Sequence, residues 1–238
     1  IGGLAGDALT DADFNVALGV AALGADTLGS HSVAIGTYAL AAQNNTSATN
    51  TYNVAVGSSA GTSITTGTDN VLMGGLTGDA LTTASRNTAI GRGALSADTT
   101  GRRTVAVGAF TLSSQNITDG SEAYNVAVGY GVGSNVTTGA QNTLIGGTAG
   151  DQLTDADFNV AVGYNTLGTD TLGSRSVAIG YEALKAQNFT SATNSYNTAV
   201  GFHAGNDVTT GINNTLIGGL AGDLLTDANN NVAVGYNA

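Results

Sequence analysis

Short five-residue stretches close with glycine and recur along the chain, each with β-branched or aliphatic residues at the second and fourth positions that alternate with a polar first residue and Ala or Leu at the third. Each stretch begins with Asn, Ser or Thr, followed by Val or Thr, then Ala or Leu, then an aliphatic residue or Met. A period of two is typical of a β-strand, and a β-branched residue at the second position favours a strand further. We call this stretch the signature, and its thirteen copies close at Gly19, Gly36, Gly57, Gly74, Gly91, Gly108, Gly129, Gly146, Gly163, Gly180, Gly201, Gly218 and Gly235.

The spacing of the signatures predicts two nested repeats. Most steps between signature glycines have the length of Gly19 to Gly36, a 17-residue coil. One step in every four is longer, as from Gly36 to Gly57, and the whole pattern of four steps recurs from Gly19 to Gly91. A unit this short cannot bury its apolar face alone, but stacked copies can. We therefore predict an all-β, parallel β-solenoid (a β-roll) with one coil per ~17-residue repeat and a 72-residue super-repeat of four coils.

We predict a single continuous solenoid over residues 1–238. Its super-repeats cover approximately 1–72, 73–144 and 145–216, with a partial fourth over 217–238. Because the sequence begins and ends inside a repeat, we interpret it as a segment of a longer array. A helix is not expected, since glycine interrupts each repeat before ten residues can accumulate.

The two faces of the predicted strand differ in the size of their side chains. The second and fourth signature positions share one face, and the first and third positions share the other. The third position is Ala in most copies, but every fourth signature carries a leucine there, at Leu72, Leu144 and Leu216. We expect the small alanine face to pack against copies of the chain, side by side or end to end, with the leucines as periodic knobs.

Two columns of polar residues are expected to form ladders along the stack. The first signature position is Asn in ten of the thirteen copies, and stacked amides can bond to one another along the axis. Eight residues after the signature glycine, the 17-residue coils carry Thr and the 21-residue coils carry Asn. This constant register supports one coil per signature.

The Asn of each 21-residue coil opens an Asn-x-Thr tripeptide, the acceptor sequence for N-glycosylation. These residues are Asn44, Asn116 and Asn188. We predict N-linked glycans there, because four extra residues must loop outward from a coil that is already filled. The alternative is that the three side chains only continue the Thr ladder and bond to neighbouring coils.

Aspartates at the start of each super-repeat offer a candidate calcium site. Asp7, Asp79, Asp151 and Asp223 end copies of Gly-Gly-x-x-Gly-Asp, which resembles the calcium-binding Gly-Gly-x-Gly-x-Asp nonapeptide. That nonapeptide binds ions between adjacent turns, whereas these copies lie a whole super-repeat apart. The alternative is that each aspartate accepts hydrogen bonds from turn N–H groups. No other metal and no cofactor is predicted.

Charge restricts the classes of partner. The net charge is −11 with only six Lys and Arg residues, which disfavours nucleic acid and anionic membrane surfaces. No run of 18 apolar residues occurs, so no membrane-spanning segment is predicted in this chain. Because cysteine is absent, the sequence carries no information on the redox compartment.

The signature resembles the repeated motif in the heads of trimeric autotransporter adhesins. Asn-Val-Ala-Val-Gly at 53–57 and Ser-Val-Ala-Ile-Gly at 32–36 carry this resemblance, which extends over the chain. Similar arrays occur in phage tail fibres and other long surface fibres. The resemblance implies a parallel left-handed β-roll and an assembly of three chains, although this chain has a longer repeat with a regular 21-residue coil.

Gly57-Ser58-Ser59-Ala60-Gly61 matches the nucleophile elbow, but the other super-repeats have Gly131 and His203 at the position of Ser59. We therefore predict no enzyme activity. The chain is interpreted as a structural subunit of an extracellular fibre on a cell or virion surface, self-associating and glycan-decorated. The alternative is an adhesin or phage tail-fibre segment that binds a cell-surface receptor or glycan.

Overall fold

The computed structural model describes all residues 1–238, and the fold consists of short β-strands and turns without any helix. The strands are β1 Val16–Leu18, β2 Gly29–Ser30, β3 Val33–Ile35, β4 Thr49–Asn50, β5 Val54–Val56, β6 Val71–Met73, β7 Thr88–Ile90, β8 Val105–Val107, β9 Val126–Val128, β10 Thr143–Ile145, β11 Val160–Val162, β12 Gly173–Ser174, β13 Val177–Ile179, β14 Thr193–Asn194, β15 Thr198–Val200, β16 Thr215–Ile217 and β17 Val232–Val234. The predicted all-β parallel solenoid with one coil per repeat is confirmed.

The chain forms two compact units, Ile1–Ala123 and Tyr124–Ala238. In the first unit the signature strands β1, β3, β5, β6, β7 and β8 pair in this order, and all pairs are parallel. In the second unit β9, β10, β11, β13, β15, β16 and β17 do the same. Val16 lies opposite Val33, and Val33 lies opposite Val54, so equivalent residues stack in register as predicted.

The third signature position points into the coil. Ala34, Ala55 and Ala89 are fully buried, as are the periodic leucines Leu72 and Leu144. The residues on either side of them in the signature strands are half-buried or exposed and face outward. The expectation that the alanine face packs against other chains is therefore wrong. The coil is so thin that its own walls already cover this face.

The signature asparagines form a ladder that bonds mainly to the backbone, with direct amide–amide bonds from Asn70 to Asn53 and from Asn231 to Asn214. Oδ1 of Asn53 accepts a hydrogen bond from the backbone N–H of Asn70 in the next coil at 3.0 Å. Nδ2 of Asn53 donates to the carbonyl oxygen of Gly67 at 2.7 Å. Each buried amide thus satisfies backbone groups that a turn would otherwise leave unpaired in the interior.

The signature glycine ends each strand in a conformation that other residues strongly disfavour. Gly36 has a φ of +134°, and a β-carbon there would lie 2.3 Å from the carbonyl oxygen of Gly57. The next coil therefore approaches so closely that only glycine fits.

In the first and third super-repeats the 21-residue coil carries a second strand pairing, and the middle super-repeat has the isolated bridge between Arg102 and Glu122 there. β2 pairs in parallel with β4, and β12 pairs with β14. Residues 46–48 and 190–192 of the additional segments are exposed, as expected for an outward loop. The insertion thus leaves the signature sheet uninterrupted within its unit.

Candidate functional site

The three predicted glycosylation sites share one geometry. Asn44, Asn116 and Asn188 are exposed, and each Oδ1 accepts a hydrogen bond from a threonine of the preceding coil. The donors and distances are Thr27 at 3.4 Å, Thr99 at 3.1 Å and Thr171 at 3.3 Å. The ladder bond engages only the oxygen, so it is compatible with a glycan on Nδ2.

The three tripeptides alternate between outward and inward side chains. The middle residues Asn45, Ile117 and Phe189 are buried, with exposed fractions of 4%, 5% and 6%. The following threonines are exposed, on the same side as the acceptor asparagines. Both residues that a glycosylating enzyme reads are therefore accessible, while the buried middle residue anchors the loop.

A buried aspartate and a buried glutamine pair in neighbouring coils of each super-repeat. Gln43 Nε2 donates to Asp26 Oδ2 at 2.5 Å, and Asn53 Nδ2 donates to Gln43 Oε1 at 2.9 Å. The other Asp26 oxygen accepts the N–H groups of Gly29 and Asn45 at 3.2 and 2.9 Å. Asp26, Gln43 and Asn53 are fully buried, so these bonds replace water at every carboxylate oxygen.

The pair recurs in the other super-repeats. Gln115 Nε2 donates to Asp98 Oδ2 at 2.7 Å, and Gln187 Nε2 donates to Asp170 Oδ2 at 2.5 Å. Burial raises the pKa of Asp98, although hydrogen bonds from Gln115 and from backbone N–H groups act against this rise. No known motif marks these residues. The available signal is their position seven residues after the signature glycine, where the other coils carry Leu, Ile or Val.

The candidate calcium ligands remain far apart within each unit. Asp7 and Asp79 lie in the first unit and Asp151 and Asp223 in the second, each pair separated by four coils, or about 19 Å at strand spacing. One carboxylate oxygen of Asp79 and one of Asp151 are buried without a hydrogen-bond partner, and burial raises the pKa of both groups. No group of three or more His, Cys, Asp or Glu side chains is placed to hold a metal ion. Calcium binding stays a prediction that rests on the sequence.

The match to a nucleophile elbow lies in an ordinary turn of the solenoid. Ser59 follows the signature strand β5, but no helix follows Ser59, whereas the elbow requires a strand, a turn and a helix. The backbone of Ser59 is left-handed, with a φ of 58°, like that of His203 at the equivalent position. The local geometry is thus that of the repeat and does not single out this serine.

The residue before each signature forms an exposed ladder. His31 stacks between Phe14 and Tyr52, with ring centroids 4.9 and 5.1 Å apart. Two super-repeats later, Arg175 takes the position of His31 and lies over the ring of Phe158 at 4.5 Å. Replacement of histidine by arginine in the same stack indicates a surface ladder held by ring contacts and cation–π attraction.

The outward face of the signature sheet is a continuous apolar surface in each unit. Its two columns consist of Val, Thr, Ile, Leu and Met without any charged residue. Met73 and Ile90 in the first unit are 42% and 36% exposed, and Ile179 and Ile217 in the second unit are 37% and 41% exposed. We call this surface the outer sheet face. It is an uncharged surface on a strongly acidic chain.

A second exposed cluster lies in the second unit. The residues directly after three consecutive signature glycines are Tyr164, Tyr181 and Phe202, whose ring centroids are 5.5 Å apart at each step. We call these rings the aromatic stripe. Beside it, Glu182 pairs with Lys185 at 3.1 Å and with His203 at 3.3 Å.

Glu182 holds this polar group together. Partial burial alone would raise the pKa of Glu182, but hydrogen bonds from Lys185 and Asn165 and the charges of Lys185 and His203 hold it below its usual value. Sequence motifs do not reveal this cluster, because Asn165 and His203 come from the coils on either side of the one that carries Glu182 and Lys185. The signal that reveals it is their constant offset from the signature glycine.

Comparisons with known proteins return no match for this chain. No family model matches it, and neither a curated protein nor a solved structure does. The structure holds no helix of the length and apolar character that crossing a bilayer requires. Functional inference therefore rests on the surfaces described above.

Proposed function

We propose that this chain is a non-enzymatic structural segment of an extracellular fibre, on a cell or virion surface, that associates with copies of itself. The outer sheet face is the observation that carries this proposal. Soluble monomers rarely expose a contiguous apolar surface of this kind, and such surfaces mark association sites. With seven signature strands in the second unit, the face is about 30 Å long at strand spacing.

A second copy of the same chain fits the outer sheet face best. A net charge of −11 makes two copies repel each other elsewhere, whereas the two columns of this face are uncharged. Equivalent faces share the same coil spacing, so the ridges of one face can pack between those of another in register. Such a contact is self-complementary, as a two-fold symmetric interface requires.

The same proposal includes N-linked glycans at Asn44, Asn116 and Asn188. All three lie eight residues after a signature glycine and thus outside the outer sheet face. Sugar at these positions would help to solvate a chain in which only 10% of the residues are charged. It would also oppose unwanted lateral association of the short outer strands beside it.

Sedimentation of the full chain tests the self-association. We expect an oligomer that dissociates when Ile179→Lys and Ile217→Lys place two charges in the outer sheet face. The matched control is the pair Thr137→Lys and Thr210→Lys, which adds the same charge at exposed positions outside that face and should leave the oligomer intact. A compact monomer of the unmodified chain at high concentration would contradict the proposal.

The second candidate function, recognition of a receptor or glycan by an adhesin or phage tail-fibre segment, is favoured by a separate observation. The aromatic stripe and the polar group beside it differ from the equivalent residues of the other super-repeats, where a purely structural array would need no difference. A fibre segment can serve both functions, since the stripe and the outer sheet face use different positions of the coil.

A further inference from the structure

The third super-repeat carries a surface that the first two lack. Tyr181, Glu182 and Lys185 stand where the first super-repeat has Thr37, Tyr38 and Ala41, and the second has Ala109, Phe110 and Ser113. Phe202 and His203 replace Ser58 and Ser59 of the first super-repeat, whereas the second has Tyr130 and Gly131, with the non-aromatic Arg92 and Ala109 at the positions of Tyr164 and Tyr181. Both sets of residues are compatible with the same coil, so the fold does not require the change. The substitutions therefore point to a local function.

The aromatic stripe exposes much of each ring. Tyr164, Tyr181 and Phe202 are 52%, 46% and 54% exposed, and Gly147 and Gly219 at the adjoining coils end the stripe. His203 extends it sideways by stacking on Phe202 with ring centroids 4.1 Å apart. Large exposed rings of this kind supply a contact surface at little cost in conformational entropy.

A groove runs over the same three coils. Its volume is about 630 Å³, within the range of pockets that bind small molecules. The polar side chains that line it are Thr169, Lys185, Asn188, Asn206, Asp207 and Thr209. Lys185 belongs both to this lining and to the ion pair with Glu182, so the groove and the aromatic stripe form one continuous surface.

The polar groups of this surface are ordered in advance. Glu182 is held by Lys185 and His203, and its backbone carbonyl oxygen accepts a hydrogen bond from Asn206 Nδ2 at 3.0 Å. Thr169 donates to the carbonyl oxygen of Lys185 at 2.8 Å. Carboxylate, amide, ammonium and hydroxyl groups thus surround the groove in fixed positions, with both donors and acceptors available to a ligand.

We propose that the aromatic stripe and the adjoining groove bind a neutral glycan. A pyranose ring presents an apolar C–H surface, which matches exposed aromatic rings, and a rim of hydroxyl groups, which matches paired donors and acceptors. Single-stranded nucleic acid also stacks on aromatic rings, but it needs a positive channel. Here Glu182 neutralises Lys185, and Asp207 adds negative charge to the groove.

The bound glycan could come from another molecule or from Asn188 of the chain itself. Asn188 lines the groove and is also one of the three glycosylation candidates. The same surface chemistry would accept either a glycan of another molecule or the glycan attached to Asn188 itself. The proposal does not depend on fibre assembly, because none of its residues lies in the outer sheet face.

Binding of neutral trisaccharides to the full chain from a host without N-glycosylation tests the proposal. The probes are cellotriose, mannotriose and tri-N-acetylchitotriose. Their binding is measured by saturation-transfer NMR and calorimetry. We expect binding of at least one probe and no binding of heparin or oligothymidine. Failure of all three trisaccharides, or stronger binding of either polyanion, would overturn the proposal.

The matched variant takes its residues from the first super-repeat. Tyr181→Thr, Glu182→Tyr, Lys185→Ala, Phe202→Ser and His203→Ser together should weaken binding by about tenfold or more. We expect this variant to fold, because the introduced residue types already adopt the required backbone conformation in the first super-repeat. Tyr38 and Ser59 have φ values of 60° and 58°, close to the 54° of Glu182 and the 53° of His203. Unchanged affinity in this variant would overturn the proposal, provided that its circular dichroism and melting temperature match those of the parent.

A control variant removes an exposed ring outside the stripe. Tyr196→Asn places at this position the residue type that Asn213 supplies one coil later, and it should leave affinity unchanged. Equal loss in this control would show non-specific contact and count against the proposal. If the chain from a glycosylating host binds the probe only after glycosidase treatment, the natural occupant is the Asn188 glycan. Equal binding before and after treatment assigns the surface to glycans of other molecules.

Discussion

A β-carbon added to Gly61 would lie 2.7 Å from Cδ1 of Leu72, so the leucine fills the space that this glycine leaves. Gly78, one coil further, leaves space for the same leucine, since a β-carbon added to Gly78 would lie 3.0 Å from Cδ2 of Leu72. Conformation is not the reason for glycine here. Leu40 and Leu95 occupy the same coil position with φ values of 49° and 54°, close to the 58° of Gly61. In each super-repeat one leucine of the signature strand thus fills the space left by glycine in two successive coils, where the other coils carry a leucine instead.

This exchange predicts energetic coupling between Gly61 and Leu72. Leu72→Ala should destabilise by about 2–5 kcal/mol through a cavity, and Gly61→Leu by about 1–3 kcal/mol through overpacking. The double variant recreates the pairing of other coils, so it should cost less than the sum by about 0.5–3 kcal/mol. Urea denaturation of the four proteins measures the cycle. Strict additivity would show that the two residues do not share one space.

The signature glycines should tolerate no side chain. Gly57 has a φ of +143°, and a β-carbon would lie 2.3 Å from the carbonyl oxygen of Gly74, so Gly57→Ala should destabilise by about 3 kcal/mol or more. Gly75 is the matched control, because a β-carbon there meets only the Ser58 carbonyl oxygen at 3.9 Å. Gly75→Ala should change stability by less than about 0.5 kcal/mol in the same thermal or urea denaturation. Similar losses in both variants would refute the close-approach explanation.

The buried carboxyl of Asp98 should make stability depend on pH with a defined sign. Burial raises its pKa above the ordinary value of 3.8, so the folded state holds this proton more tightly than the unfolded state does. The contribution to stability is then present below 3.8 and is lost as the pH rises through the raised folded value. Relative to Asp98→Asn, the parent should lose stability with rising pH across this window and show no further change above it. Denaturation series for both proteins provide the measurement.

Asp119 provides a control of opposite sign. Hydrogen bonds from the Ser121 side chain and backbone lower the pKa of this exposed carboxyl below 3.8. Its stabilising contribution is therefore present above 3.8 and is lost as the pH falls through the lowered folded value. The parent should gain stability over Asp119→Asn as the pH rises. Slopes of the same sign for the two aspartates would contradict the assignment of burial as the dominant cause at Asp98.

Variants of Thr190 distinguish the predicted glycan on Asn188 from the alternative that Asn188 only continues the Thr ladder. Thr190→Ala removes the acceptor sequence, while Thr190→Ser keeps it, and neither change touches the bond between Thr171 and Asn188. In a host with N-glycosylation, intact-mass measurement should show one glycan fewer in the alanine variant and the full number in the serine variant. Unmodified mass at Asn44, Asn116 and Asn188 in the parent would leave only the ladder role.

Much of the coil could be predicted from the sequence, because local rules decide it. Alternation around Val33 and Val54 defines the strand, and Gly36 and Gly57 define its end, since their φ values are inaccessible to other residues at low cost. Constant spacing then implies stacking in register. The exposed positions of Asn44, Asn116 and Asn188 were also predictable, because the four extra residues that follow them mark a loop in the chain; their glycosylation stays a prediction.

Contacts between coils could not be predicted in the same way. Tyr181 and Phe202 become neighbours only because a 21-residue coil returns the chain to the same position, and Asp26 meets Gln43 across one 17-residue coil. A search for motifs reads adjacent residues and misses such pairs. Columns at a constant offset from the signature glycine would have revealed both.

The sequence by itself determined the strands, the length of the coil and the places where the chain turns, because these depend on residues close together in the chain. The tertiary structure decided which face of the strand is the interior. Each face carries an aliphatic column, so the strand pattern alone does not distinguish Ala34 from Val33 as the buried residue. Closure of the coil does, because it encloses the third position together with the hydrogen-bonded side chain of the first position and leaves the second and fourth positions on the outside.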